Sequence, residues 1–270
     1  MIGIWNFTKM IDFHNHVLFD VDDGPKTLEE SIDMVRFAYN QGVTDIVQTV
    51  HFQHPKMEGK NTDYKYLVDR VRDFQSKIDK EKIKVKIHLS SEVFFLPNLL
   101  EISKNPLTKI GNGKFMLIEF RSDLFPTGYE DEFYQLKLNG ITPIIAHPER
   151  YRFVQLDKNV LKKWKNAGYI ILLDAGSILG KFGNYTKNLA LEILDMSCVH
   201  LIGSDAHNNK HRNFCLKDAY EKIEKLYGLE TVNKLKKNAY SLLNDNKIKN
   251  IKFEKLKRAS FIRSILSKLK

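Results

Sequence analysis

The sequence predicts an α/β protein, a distorted seven-stranded (β/α) barrel whose functional residues sit at the carboxyl ends of the strands. Three observations carry that expectation. Short β-rich runs alternate with helical patterns from Met10 to about Asn244. The 270 residues and 43% apolar content suit one large core, and this length is ordinary for a single α/β barrel. Six of the seven β-rich runs deliver a His, Asp or Glu at or just past their end, and such barrels gather their chemistry at strand carboxyl ends.

The seven strand candidates are Met10–His14, Asp45–Val50, Val85–Ser90, Phe115–Phe120, Thr142–Ala146, Ile170–Asp174 and Val199–Ser204. Each is apolar, β-rich and bounded by polar or glycine signals. The first helix is the clearest: Thr27 caps it, Glu30 completes a capping box and Gly42 follows its end. Leu28, Ile32, Val35 and Tyr39 give it an apolar face at helical spacing. Further helices are expected over Tyr64–Ile78, Asp131–Asn139, Asn159–Ala167, Thr186–Met196 and Leu216–Tyr227. With no internal repeat, low-complexity stretch or Pro/Gly-rich linker, the chain reads as one domain over 10–244 followed by a tail over 245–270.

Composition narrows the function. Met1–Met10 is too short and too polar for a signal peptide, and no apolar run approaches membrane-spanning length. Two cysteines without paired spacing argue against a disulfide framework and for a reducing, cytoplasmic setting. The net charge of +10 suits an anionic partner without choosing among nucleic acid, lipid headgroup and phosphorylated protein. Much of it lies in Lys247–Lys270, which carries nine Lys/Arg and one acid, with Ile262, Ile265, Leu266 and Leu269 at helical spacing. That segment is read as a solvated last helix or tail, or as a basic amphipathic helix on an anionic membrane or a partner kinase.

Asp12, His14 and His16 occupy alternate positions in Met10-Ile-Asp-Phe-His-Asn-His16, so a strand would aim all three at one face, with Ile11 and Phe13 packing behind. Imidazoles so arranged suit a borderline divalent metal. Asp23 comes next, before Gly24-Pro25, then His51 after the second strand, Glu92 after the third, Glu119 at the end of the fourth, His147 after the fifth, and Asp205 and His207 after the seventh. Nine candidate ligands exceed the three protein ligands of one catalytic zinc-type ion, so a multinuclear centre, divided most naturally over three ions, is expected.

Other polar residues have plainer readings. Asp12 is either a ligand or a partner orienting an imidazole. Two of Asp20, Asp22 and Asp23 are expected in the turn at Gly24, and His54 in a loop. Glu149 and Asp174 read as structural, and His88, His200 and His211 as surface or core histidines.

Taken together, D-x-H-x-H, the D-D-G-P segment, His51, His147-Pro-Glu-Arg-Tyr151 and Ser204-Asp-Ala-His-Asn208 resemble the polymerase-and-histidinol-phosphatase (PHP) superfamily. Within it, the spelling is similar to the manganese-dependent protein tyrosine phosphatases of bacterial capsule and exopolysaccharide operons, the CpsB/CapC type. The resemblance runs from Met10 to about Asn244 in motif order and spacing. It implies a PHP-type barrel with three divalent ions, manganese foremost and iron or zinc as alternatives. It also implies that His14 and His16 bind one ion and Glu119 and His147 a second. Asp23, His51 and His207 serve the third, and Glu92 and Asp205 hold the cluster together. Arg150 corresponds to a phosphate-binding arginine and Arg212 to a second. The chain departs from the pattern in carrying Met1–Lys9 ahead of the usual start and a second histidine in Thr49-Val-His-Phe-Gln-His54.

The expected chemistry is attack on phosphorus by a metal-activated hydroxide, with arginine forks on the phosphate oxygens. The resemblance implies a phosphotyrosine protein substrate, the tyrosine-rich tail of a polysaccharide-assembly autokinase. Alternatives are a small-molecule phosphatase of the histidinol-phosphate type and a nucleic-acid-processing phosphoesterase. For the latter the sequence offers no helix-turn-helix and no basic–aromatic single-strand platform. A cysteine-dependent phosphatase is excluded, because that mechanism needs arginine six positions after its cysteine; here Ser204 follows Cys198 and Glu221 follows Cys215 at that distance.

Overall fold

Seven parallel strands lie side by side in chain order in the computed structural model, which describes residues 9–57, 60–244 and 246–256. They are β1 (Ile11–Asp12), β2 (Asp45–Phe52), β3 (Lys86–Phe94), β4 (Phe115–Glu119), β5 (Thr142–Ala146), β6 (Ile170–Asp174) and β7 (Leu201–Gly203). Just past β1 and β7 an isolated parallel bridge joins Asn15 to Ala206, with Asp205 N–H donating to the His14 carbonyl at 2.6 Å, so the barrel nearly closes. The expected β5 and β6 match residue for residue, whereas β2 and β3 run further and β1 and β7 are shorter.

The strands are covered by α1 (Leu28–Asn40), α2 (Tyr64–Lys80), α3 (Leu99–Ile102), α4 (Tyr129–Leu138), α5 (Arg152–Leu156), α6 (Asn159–Asn166), α7 (Ala175–Leu179), α8 (Gly183–Asp195), α9 (Leu216–Tyr227) and α10 (Leu229–Leu243). Thr27 caps α1 by accepting from Glu30 N–H at 3.2 Å, but Glu30 returns its bond to Lys26 N–H rather than to Thr27. The buried face of α1 is Ser31, Met34, Val35 and Ala38. Of the expected face, Val35 lies in the core and Leu28 and Ile32 pack half-buried against it, while Tyr39 is exposed and Ala38 takes its place. Helix α10 was absent from the sequence reading; it lies against β1 and β7 and covers the seam between them.

Alternation sorts the strand residues into two layers. Ile46, Val50, Met116, Ile118, Ile145, Ile171, Leu173 and Ile202 join the outer core under the helices. Val47, Phe115, Leu117, Ile144, Ala146, Ile170, Leu172 and Leu201 fill the barrel interior with Ile11 and Phe13. Continuing those inward rows towards the carboxyl ends brings His51, Glu119, Asp174 and Asp205 to the barrel mouth.

Residues 246–256 form no helix and lie against the barrel. Lys249 N–H donates to the Asn238 side chain, Phe253 N–H to Ser197 and Leu256 N–H to Leu226, with Ile251 and Phe253 buried. The expected apolar stripe Ile262, Ile265, Leu266 and Leu269 lies outside the described residues, as do Met1–Thr8.

Candidate metal centre

All nine expected ligands meet at the mouth of the barrel in four overlapping groups, each with its ligand atoms within 4.8 Å of one another. His16, Asp23, His51 and His207 form one; His14, Glu92 and His147 another; His14, His16 and Asp205 a third; and His51, Glu92 and Glu119 a fourth. The resemblance pairs His14 with His16, and these two do meet beside Asp205, but His16 also reaches the Asp23 group. His51 and Glu92 lie within β2 and β3 rather than after them, paired in register.

The route of the first triplet differs from simple alternation. Strand β1 stops at Asp12, so Ile11 and Phe13 point into the barrel core. His14 and His16 reach the site through the irregular segment that follows. Asp12 is outside all four groups. Its Oδ1 accepts from the backbone N–H groups of His14 and Ser204, at 3.1 and 3.2 Å, tying β1 to β7 beneath the site. Burial pushes its carboxyl up to about 6, against those hydrogen bonds.

Asp22, assigned to the turn by sequence, does more than hold Gly24. Its Oδ2 lies 2.8 Å from His16 Nδ1 and accepts from His51 N–H at 3.1 Å, which turns His16 Nε2 towards the cluster. His207 Nδ1 donates to the Asp205 carbonyl at 2.9 Å, leaving Nε2 for the site. Gly203 allows close approach here: a Cβ on it would lie 2.7 Å from the His14 Cβ.

The donor atoms fit a group of divalent ions. His14 Nε2 lies 3.0 Å from Glu92 Oε2 and 3.4 Å from Asp205 Oδ1, yet neither His14 Nε2 nor Asp205 Oδ1 makes a hydrogen bond. His16 Nε2, His51 Nδ1 and Glu119 Oε2 are likewise buried without a hydrogen-bond partner, whereas the His147 nitrogen facing the cluster, Nε2, lies 3.0 Å from Glu92 Oε1. Buried donors and acceptors left unpaired cost about 1–3 kcal/mol each, and such a concentration fits bound cations. Nitrogen and carboxylate donors suit manganese, iron or zinc.

Charge follows the same plan. Burial opposes ionisation of Glu92, but His14, His147 and His16 outweigh it and hold the carboxyl well below its usual range. Asp205 is also held well below, against burial, by His14, Arg150, His207 and Arg212. Glu119 is pushed well above, by burial and by the negative charges of Glu92 and Asp205. Burial and the neighbouring Arg150 lower His147 to about 4, which keeps its ring neutral and ready to ligate at neutral pH.

Two arginines flank the cluster. Arg150 Nη1 donates to Asp205 Oδ2 at 2.6 Å, and Arg212 donates to the same oxygen. Arg150 also pairs with Asp174, which therefore sits at the rim as an arginine anchor. Nε of each arginine has no hydrogen-bond partner. The cluster opens into a cavity of about 320 Å³ lined also by Lys56, Met57, Ser122 and Tyr151. His54 lines that cavity, its ring 4.8 Å from that of His51, but it joins none of the ligand groups. Glu149 is structural, accepting from Asp174 N–H at 3.0 Å. His147 and Asp205 both take left-handed backbone, with φ of 30° and 47°.

Similarity to known proteins agrees with this geometry. The family described as "Capsular polysaccharide synthesis, CpsB/CapC" matches residues 10–244. YwqE of Bacillus subtilis, named a tyrosine-protein phosphatase, is 34% identical over 88% of this chain and 93% of its own. CapC of Staphylococcus aureus is 33% identical over 90% of this chain and 94% of its own. A crystal structure from a study of YwqE and of CpsB from Streptococcus pneumoniae, described there as "unique metal-dependent tyrosine phosphatases", superposes with a TM-score of 0.85. It covers 92% of this chain and 100% of that one at 31% identity. The chain belongs to the CpsB/CapC family.

Proposed function

We infer that this chain is a metal-dependent protein tyrosine phosphatase, and that the nine converging His, Asp and Glu residues hold three divalent ions, manganese foremost. The observation that carries this reading is the set of buried ring nitrogens and carboxylate oxygens that lie close together without hydrogen bonding. His14, His16 and Asp205 would hold one ion, Glu92, Glu119 and His147 a second, and Asp23, His51 and His207 the third. When bound, such ions supply a hydroxide nucleophile at neutral pH by drawing the pKa of water from about 15.7 towards about 7.

The chain's own residues do the rest. Asp205 turns Oδ1 to the cluster and Oδ2 to both arginines, so a phosphate held by Arg150 and Arg212 lies beside the ligands. Asp205 holds both guanidinium groups at the cavity, and a planar fork suits phosphate oxygens better than an ammonium. Phenolate, with a pKa near 10, leaves more easily than the alkoxide of serine. Among the described residues no helix is long and apolar enough to cross a membrane. The proposed setting is cytoplasmic, and the proposed substrate is the tyrosine-rich tail of a polysaccharide-assembly autokinase.

The test compares phosphotyrosyl and phosphoseryl peptides of one sequence with histidinol phosphate, before and after chelation. Phosphotyrosyl peptide should be hydrolysed fastest, lose its turnover on chelation and regain it with manganese more readily than with magnesium. Full activity in chelated protein, or hydrolysis of histidinol phosphate alone, would overturn the reading.

A further inference from the structure

The mouth of the barrel is divided. Four successive loops, those after β3, β4, β5 and β6, expose large apolar side chains. Leu156 is 80% exposed, Tyr185 64% and Leu124 59%, joined by Phe125, Leu96 and Phe182. Among the described residues, the connections after β1 and β7 expose none, and that after β2 exposes only Tyr64 at the start of α2. Exposed leucines scattered over a surface need no explanation; a crescent on one side of a catalytic mouth does.

None of the six lines the cavity itself, but Ser122 and Arg150, which do, adjoin them. Arg152 N–H donates to the Ser122 carbonyl at 2.8 Å, tying the β4 loop to α5, and both Ser122 and Arg150 line the cavity. Phe125 rests edge-on against Phe153, ring centres 5.3 Å apart, in the same helix that ends at Leu156. Phe182 lies under the Arg150 guanidinium at 4.1 Å. Its seat depends on Gly176, where a Cβ would come 2.9 Å from the Phe182 ring. The cavity holds a phosphorylated side chain beside its ligands, so the polypeptide bearing that side chain must lie across the rim.

Resting on the phosphatase reading above, we propose that this crescent is a docking surface for the residues flanking the phosphotyrosine of a peptide substrate, and that it selects apolar and aromatic neighbours. Covering exposed leucine and phenylalanine supplies binding energy that a small phosphate ester cannot use, so the selection appears in KM for peptides alone.

The test uses two phosphotyrosyl peptides of equal length, one with Leu/Phe flanks and one with Ser/Gly flanks, beside para-nitrophenyl phosphate. The wild-type protein should favour the apolar peptide by about ten-fold in kcat/KM, chiefly through KM. The highly exposed double substitution Leu124→Ser, Leu156→Ser should erase that preference and leave the small ester unchanged. A preference that survives, a parallel fall on the small ester, or no preference in the wild type would overturn the docking surface. So would a double variant whose sedimentation shifts from dimer to monomer, since the crescent would then join two copies of this chain. Failure of the wild type to hydrolyse either phosphopeptide is a separate result, visible before any variant is made, and sinks the underlying phosphatase reading.

Discussion

The two ends of the barrel interior are made from the same inward rows of the same strands, yet they obey opposite rules. At the amino end, Val47, Phe115, Leu117, Ile170, Leu172 and Leu201 close over Ala239 and Leu242 of α10 in a wholly apolar cluster. One or two inward positions further along those rows stand His51, Glu119, Asp174 and Asp205, each such step being roughly 7 Å along a strand. The apolar end stabilises the fold. The polar end costs stability, through buried donors and acceptors that only an ion or substrate completes. Fold and chemistry are thus separated by distance along a strand, and substitutions at the two levels should carry opposite signatures.

The largest effect is expected at the mouth. Asp205→Ala or His14→Ala should lower kcat/KM by about 10³-fold or more and reduce bound metal by elemental analysis, with circular dichroism unchanged. Below it, Leu172→Ala should do the reverse, costing about 2–5 kcal/mol in denaturant unfolding while the metal-loaded enzyme keeps kcat within about three-fold. A Leu172→Ala protein that stayed stable but lost turnover would break the separation. Arg150→Ala should fall between the two, losing about 10²-fold in kcat/KM and weakening inhibition by inorganic phosphate, with metal content intact. Metal loss there would make Arg150 a support for the ligands instead.

Smaller effects sharpen the boundary. His54 lines the cavity outside every ligand group, so His54→Ala should leave metal content unchanged, whereas His51→Ala should lower it. The reverse result would reassign the second-strand ligand. Least of all should come from the thiols. Cys198 and Cys215 are buried, and burial raises both, Cys215 to about 11, so at neutral pH both stay protonated and slow to alkylate. A Cys198→Ser, Cys215→Ser protein should keep its phosphotyrosine turnover, and inactivation by a thiol reagent at neutral pH would contradict that.

Legibility in the sequence followed the same division. β5 and β6 matched residue for residue because each is a five-residue apolar run with clear borders. Eight of the nine candidate ligands could be read as residues at or just past a strand end, since a polar group closing an apolar run is visible without knowing the packing; Asp23, in the turn before Gly24, was legible only from its motif. Residues whose role depends on a partner were harder. Asp22 looked like a turn residue because its bonds to His16 and to His51 N–H cross 6 and 29 positions. Asp174 was the last residue of an inward row, but its arginine lies on another loop. On α1 only Tyr39 departs from the expected face, because it fits the period as well as Ala38 and the packing alone chooses between them. Helix α10 was missed because it packs across a seam that exists only once the barrel closes.

The left-handed backbone at His147 and Asp205 has an evolutionary consequence. A non-glycine residue in that region costs about 1–2 kcal/mol, a penalty glycine escapes. Selection for thermal persistence alone would therefore reward glycine at two positions where it would remove a proposed ligand. A lineage that ceased to need the reaction could drift there and become a sturdier barrel without those ligands.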